Sequence, residues 1–433
     1  MKTERTGKSV RLKFSLPAFP IMRNLSEHFQ AGLSPSENPE NYHPTIRACF
    51  TGYISQSIVN SYVPLLFLTF ERSYNIPLSR ITLLITVNFC LQLMIDLASV
   101  QFIDRIGYRA SIILAHVLTA GGLILLTILP EILPSSFMGL FISVVIYGTG
   151  GGLLEVLVSP ILEACPTPNK KKAMSLLHAF YSWGVIGVVA LSTLFFTLFG
   201  IQNWKILTLL WTLVPIFNGI QFTRVPIRTL NRSGEKSMPV SELFRSRLFR
   251  LLFLMTLCAG ACEQSIGQWA SVFAEAGLGV KKSVGDLAGP MLFYAMMGTS
   301  QTIFGRHGEK MNLPRYMKLC AILDLCAYFL IGLTPFPLLS FIGCGLCGFG
   351  TGIMWPGTFS SASASLPRGG TALFALMALA GDLGSSSGPG LVGLISEISG
   401  GNLKTGMLSA AIFPVLLLIS LTIEQKEELH LKN

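Results

Sequence analysis

Twelve long apolar stretches follow one another along this 433-residue chain, and the Lys and Arg residues between them gather in every second gap. A bilayer's hydrocarbon core is about 30 Å thick and a helix rises about 1.5 Å per residue, so a stretch of about 20 apolar residues crosses it. The pattern predicts spans near residues 45–70, 81–103, 110–129, 136–164, 172–200, 204–222, 247–275, 286–305, 314–334, 337–365, 371–398 and 403–423. Only 12% of the residues are charged, against roughly 25% in a soluble domain. The expected fold class is an all-α membrane protein of twelve transmembrane helices.

The charge sets an orientation. With both termini on one side of the membrane, 26 of the 32 Lys and Arg residues fall on that side, leaving Arg72, Arg80, Lys205, Lys281, Lys282 and Lys404 opposite. The positive-inside rule makes the basic side cytoplasmic, which predicts a multi-pass protein of the cell membrane with both termini inside. The net charge of +10 is then topological and calls for no nucleic-acid partner. Residues 1–44 lack the apolar core of a secretory signal. With Lys2, Arg5, Lys8, Arg11 and Lys13 they read as a loose, solvated basic cytosolic tail, the alternative being contact with anionic membrane lipid at about 1 kcal/mol per basic residue. The nine cysteines fall almost wholly inside spans and read as small packing residues. The Cys344-x-x-Cys347 pair has no second pair or histidines beside it, so no metal and no cofactor is expected.

A basic, polar stretch over 223–246 divides the spans six and six. The expected organisation is an N-terminal bundle (45–222), a cytoplasmic linker (223–246), a C-terminal bundle (247–425) and a short cytosolic tail (426–433). The halves echo each other: Gly148, Gly150 and Gly152 in span 4 match Gly348, Gly350 and Gly352 in span 10, and each run is followed by a proline, Pro160 and Pro356. Such an echo points to parallel repeats.

The loop after span 2 reads Asp104-Arg105-Ile106-Gly107-Tyr108-Arg109, and Gly305-Arg306-His307-Gly308-Glu309-Lys310 follows span 8. The first resembles the signature of the major facilitator superfamily, with Val100 at its leading glycine position. The resemblance implies two six-helix bundles that rock about a central site. It also implies a gate role for Asp104, Arg105 and Arg109, a carboxylate facing a helix N-terminus of the other half and bases facing nearby acids.

A carboxylate at mid-membrane costs on the order of 3 kcal/mol on insertion scales, so each invites a functional reading. Asp96, Glu155, Glu263, Asp324 and Asp382 lie within spans, and Glu163 and Glu397 nearer their ends. Glu155 follows the span 4 glycines, where missing side chains let a helix or a solute come close. The runs Gly148 to Glu163, His178 to Gly184, Gly260 to Glu263 and Trp355 to Ser360 resemble the L-fucose permease and glucose/galactose porter group. That resemblance implies a proton-coupling role for Glu155 and places the group's span 5 amides on His178 and Tyr181. It places the group's span 1 aspartate on Asn60, which carries no titrating proton. Glu263 is the expected second coupling group.

Sugar binding asks for planar hydrogen-bonding groups and an aromatic face in a largely apolar cavity. Gln56, Asn60, Glu155, His178, Tyr181, Glu263, Gln264, Gln268, Trp269 and Trp355 supply that mixture and are the expected substrate-binding set. Glu163 and Asp382 join the gate, Asp382 reading equally as a group that binds substrate or a cation or meets span 2, and Asp96 and Asp324 read as gate or packing residues. The expected function is secondary transport of a small polar solute, a sugar first, by alternating access with proton symport. The alternatives are an exporter of an amphiphilic drug or metabolite and a sensor that keeps the fold without transport. Enzyme activity is not expected: Asp382 follows Leu-Ala-Gly, which lacks the first glycine of an intramembrane protease's Gly-x-Gly-Asp, and no zinc or phosphate-loop motif occurs.

Overall fold

A computed structural model describes residues 42–76, 78–230, 238–272, 282–308 and 310–432. Twelve spans emerge. Span 1 is a broken helix, His43–Ser61 and Phe67–Tyr74, joined by a 3-10 turn at Val63–Leu66. The break falls at Pro64, which has no N–H and whose ring excludes the carbonyl one turn back. Spans 2 to 6 are Leu78–Ile106, Tyr108–Ile132, Ser136–Ala164, Lys170–Phe199 and Trp204–Arg224. Spans 7 to 9 are Arg247–Val272, Lys282–His307 and Leu313–Leu333. Span 10 is broken between Pro337–Thr351 and Met354–Ser365, with Pro356 in the first turn of the second piece. Span 11 is Gly370–Ile398, and span 12 is Leu403–Ser409 with Ile412–Lys432. No strand occurs among the described residues.

Several expected boundaries move. The first helix starts at His43, while the basic tail up to residue 41 lies outside the described residues. The final helix runs to Lys432, through the stretch expected as a tail. The linker contains a short helix, Val240–Arg245, whose Leu243 is fully buried, and residues 231–237 lie outside the described set. An apolar residue in a basic stretch gave this helix something to bury.

Asn169 and Asn312 cap the starts of spans 5 and 9, their side chains accepting from the backbone N–H of Lys172 and Arg315. Arg109 donates to the carbonyls of Phe222, Thr223 and Val225 at 2.8–2.9 Å. It therefore meets the exposed carbonyls at the end of span 6, a helix end that carries partial negative charge, rather than the acid expected for it.

The glycine echo has a geometric counterpart. A Cβ on Gly148, Gly150 or Gly152 would meet Asn88, Ala115 with Thr119, and Gln92 with Ile95. On Gly348, Gly350 or Gly352 it would meet Phe293, Cys320 with Asp324, and Met297 with Ser300. Every partner in the second set is numbered 205 above its counterpart, so spans 2, 3 and 4 and spans 8, 9 and 10 make the same contacts. The halves meet chiefly through span 5 with span 8 and span 2 with span 11.

Eight helices among the described residues are long and apolar enough to cross a membrane, and they are spans 3 to 7, 9, 10 and 12. Spans 1, 8 and 11 fall short because each turns polar or small residues inward, while many side chains of span 2, an apolar helix by its sequence, lie outside the described residues. Large apolar side chains such as Leu198, Phe217, Leu319 and Leu338 are instead more than half exposed. So broad an apolar exterior belongs against lipid.

Candidate functional site: a central cavity between the two halves

At mid-depth the halves enclose a cavity of about 60 Å³. Span 1 contributes Tyr53, Gln56 and Asn60, span 2 Gln92, span 4 Glu155 and span 5 His178 and Tyr181. From the second half come Glu263 and Gln264 of span 7, Met297 of span 8, Trp355 of span 10 and Asp382 and Ser385 of span 11.

Glycine sets the spacing on both sides. A Cβ on Gly151 would stand 2.7 Å from Val59 Cγ1 and 3.3 Å from Gln56 Oε1. Its absence lets span 1 approach span 4 closely enough for Gln56 Nε2 to donate to Glu155 Oε2 at 3.2 Å. Across the cavity the Trp355 indole fills the space a side chain on Gly381 would need, beside Asp382.

A relay of neutral groups holds the first-half wall. Gln92 Nε2 donates to Asn60 Oδ1 at 3.1 Å, and Asn60 Nδ2 donates to the Tyr181 hydroxyl at 3.2 Å. With its oxygen accepting from Asn60, the Tyr181 O–H is left to donate. Aromatic rings form the other wall: His178 lies 5.2 Å from Tyr53, 6.4 Å from Trp355 and 6.1 Å from Phe359, between ring centroids.

Four buried polar atoms of the lining have no hydrogen-bond partner among the described residues: Gln56 Oε1, His178 Nε2, Trp355 Nε1 and Asp382 Oδ2. A buried polar group without a partner costs about 1–3 kcal/mol. These four converge on one cavity from both halves, the arrangement expected of a site that meets a ligand's polar groups.

Eight of the ten expected binding residues line this cavity. Gln268 and Trp269 do not: with Ser386, Pro389 and Gly390 they line a separate, more open recess, and Trp269 Nε1 donates to the Pro389 carbonyl at 3.1 Å. Both lie at least one turn beyond Gln264, on the same helix but farther along its axis. Asp382, expected at the gate, in substrate or cation binding or against span 2, lies in the cavity wall and contacts Asp96 of span 2. Tyr53, Gln92, Met297 and Ser385 went unread in the sequence. Gln92 carried a usable signal, since it sits one helical turn before Asp96 in an apolar span.

The end of the molecule that bears the Asp104 loop is tied across the halves. Ser363 Oγ donates to Glu163 Oε1 at 2.6 Å, and Lys170 stands 3.3 Å from the same oxygen. The Tyr108 and Thr371 hydroxyls are 2.7 Å apart. Deeper, Ser182 Oγ donates to Gln301 Oε1 and Trp183 Nε1 to Thr302 Oγ1, at 2.8 and 3.1 Å. Arg105 is exposed, and the Asp104 side chain lies outside the described residues.

A family model for the Major Facilitator Superfamily matches residues 48–424. The chain belongs to that superfamily. It is therefore a multi-pass membrane protein of a transporter family, not an enzyme. Among solved structures, a single-substitution variant of the fucose:proton symporter of E. coli superposes with a TM-score of 0.76 at 14% identity, covering 89% of this chain and 99% of the other. The proton:xylose symporter bound to 6-bromo-6-deoxy-D-glucose gives 0.70 at 12%, over 88% and 95%. The human organic anion transporter MFSD10 gives 0.69 at 15%, over 90% and 100%. Identities so low speak for the fold alone. No curated protein sequence matches the chain.

Proposed function

We propose that this facilitator-superfamily member moves a small polyhydroxylated solute, a sugar, together with protons, by alternating access about the central cavity. Its N- and C-termini face the cytoplasm of the cell in whose membrane it sits. The observation that carries the reading is the mixed set of orphaned donors and acceptors beside aromatic rings. A hydroxyl both donates and accepts, so a polyol satisfies Trp355 Nε1 and Gln56 Oε1 alike, while the rings offer a face to C–H groups. Fold neighbours that carry fucose and xylose with protons support the assignment.

Coupling falls to Glu155 and Glu263, one from each half. Glu155 is held by a neutral amide, and no Lys or Arg lines the cavity among the described residues, so a proton is the cation at hand to neutralise it. One proton per solute suffices in principle, since about 2.3 kcal/mol per charge per 100 mV corresponds to roughly 40-fold accumulation. A volume of about 60 Å³ is about two waters' worth, so a hexose enters only when the halves part. The contacts of Glu163 with Ser363 and of Tyr108 with Thr371 close the cytoplasmic end in this arrangement, leaving the external side to open. The same acids and rings favour a second reading, export of an amphiphilic organic cation.

The test is uptake of radiolabelled hexoses and 6-deoxyhexoses into proteoliposomes, with and without an inward proton gradient. Gradient-dependent accumulation of a sugar supports symport. Absence of sugar uptake in vesicles that expel an organic cation overturns the substrate class and establishes the second reading.

A further inference from the structure

Asp96 is wholly buried, and both its carboxyl oxygens lack a hydrogen-bond partner among the N–H and O–H groups of the described residues. Its contact is Asp382, across the junction between span 2 of one half and span 11 of the other, within hydrogen-bond reach. Asp382 Oδ2 is likewise without a partner. An ionised carboxylate only accepts, so two carboxyls bond to each other only when one of them carries a proton.

The internal repeat sharpens the point. At the offset of 205 that relates the partners of the two glycine runs, the counterpart of Asp96 is Gln301. Gln301 sits at the matching junction, span 8 against span 5, and accepts from Ser182 there at 2.8 Å. An amide and a hydroxyl bond at any pH. One seam of the molecule is therefore closed by neutral groups, and its symmetry mate by a pair of acids.

We propose that Asp96 and Asp382 share a single proton and form a protonation-controlled clasp between the two halves. With the proton in place, Asp96–H···Asp382 is a bond across the seam and carries one negative charge. Loss of the proton leaves two carboxylates in contact, and the bond becomes a repulsion that favours parting of spans 2 and 11. The groups facing the pair do not replace the proton. Glu155 of span 4 and Glu263 of span 7 are acids, His178 of span 5 lines the same cavity, and Trp355 of span 10 covers Gly381 without titrating. No Lys or Arg among the described residues acts on either carboxyl. Because Asp382 also lines the cavity, a solute bound there touches the clasp, which would give a chain with Asn60 in span 1 a second proton-bearing element.

The step from clasp to transport rests on the proton-driven reading above, but its test does not, since it needs no solute. Difference infrared spectra of the purified full-length protein in detergent, recorded as pH is raised, report protonated carboxyls through the carboxylic C=O band. Asp96→Asn and Asp382→Asn each leave an amide that can donate to the remaining carboxylate without a proton. The expected result is that each variant removes the same component of the band and that the double variant removes no more than either alone. A double variant that loses twice as much shows two independent acids and overturns the proposal, as does a band unchanged in both single variants. Should Asp96→Asn not yield monodisperse protein, Asp96→Ser takes its place, because a hydroxyl also donates without titrating in this range. If the infrared result holds and no proton gradient drives uptake, symport fails and the clasp stands.

Discussion

Among the described residues Glu155 accepts from one side chain, the Gln56 amide at 3.2 Å, and that thin support suits the proton exchange proposed for it. Glu155→Gln keeps the shape and removes the charge. It is expected to abolish proton-driven accumulation while preserving solute exchange, measured as uptake against counterflow in the same proteoliposomes; unchanged accumulation would take Glu155 out of coupling. Tyr181→Phe removes a hydroxyl that Asn60 orients and leaves a solute group unmet. At about 1–3 kcal/mol for such a loss, KM should rise roughly 5- to 150-fold with little change in the maximal rate. The acids were legible in the sequence because hydrocarbon makes each one costly. Tyr53 and Ser385 were not, since a tyrosine or serine within a span is ordinary until a cavity opens beside it. Gln268 falls outside the cavity lining for a related reason: it lies four residues after Gln264 on one helical face and donates to it at 3.4 Å, and a face does not tell how deep along the axis the cavity ends.

Among whole helices, the crossing of spans 7 and 11 is the tightest place near the site. A Cβ on Gly384 would run into the Leu257 carbonyl and one on Gly388 into that of Ala261, both backbone atoms that cannot swing aside. Gly384→Ala is expected to cost about 1–3 kcal/mol, the usual range for overpacking, seen as a lower midpoint of thermal unfolding in detergent. The twelve spans were legible from hydropathy and from the alternation of basic gaps. The breaks in spans 1 and 10 were not placed, although Pro64 and Pro356 stood beside them. Proline inside a membrane helix often survives when neighbours take up the freed carbonyl, as Pro160, Pro215 and Pro389 show by lying within unbroken helices.

For the molecule as a whole, the halves pack on each other along spans 5 and 8 and spans 2 and 11, and hydrogen bonds at the loop end pin that packing. Ser363→Ala removes the donor to Glu163 and leaves a charged group short of one bond, worth about 1.5–3 kcal/mol. The population should shift toward opening at that end by roughly 10- to 150-fold. Pulsed electron resonance between nitroxides on the loop-end turns of spans 4 and 10 would register a longer distance; an unchanged distribution would show that the Glu163 contact does not hold that end. The superfamily signature was legible as a motif, but its partner was not, because Arg109 turns to backbone carbonyls that no sequence pattern displays.

The three spans that fall short of lipid-crossing hydropathy have a consequence for how the chain is made. Spans 1, 8 and 11 carry polar or small residues that a bilayer alone does not reward, so as each leaves the ribosome its partition into the membrane depends on helices already delivered or still to come. Span 1 is made before any partner exists, and span 11 emerges only after nearly the whole chain is synthesised. The polar and small residues that face the central cavity thus tie the insertion of these spans to their neighbours, so substitutions there are expected to act on assembly as well as on final stability.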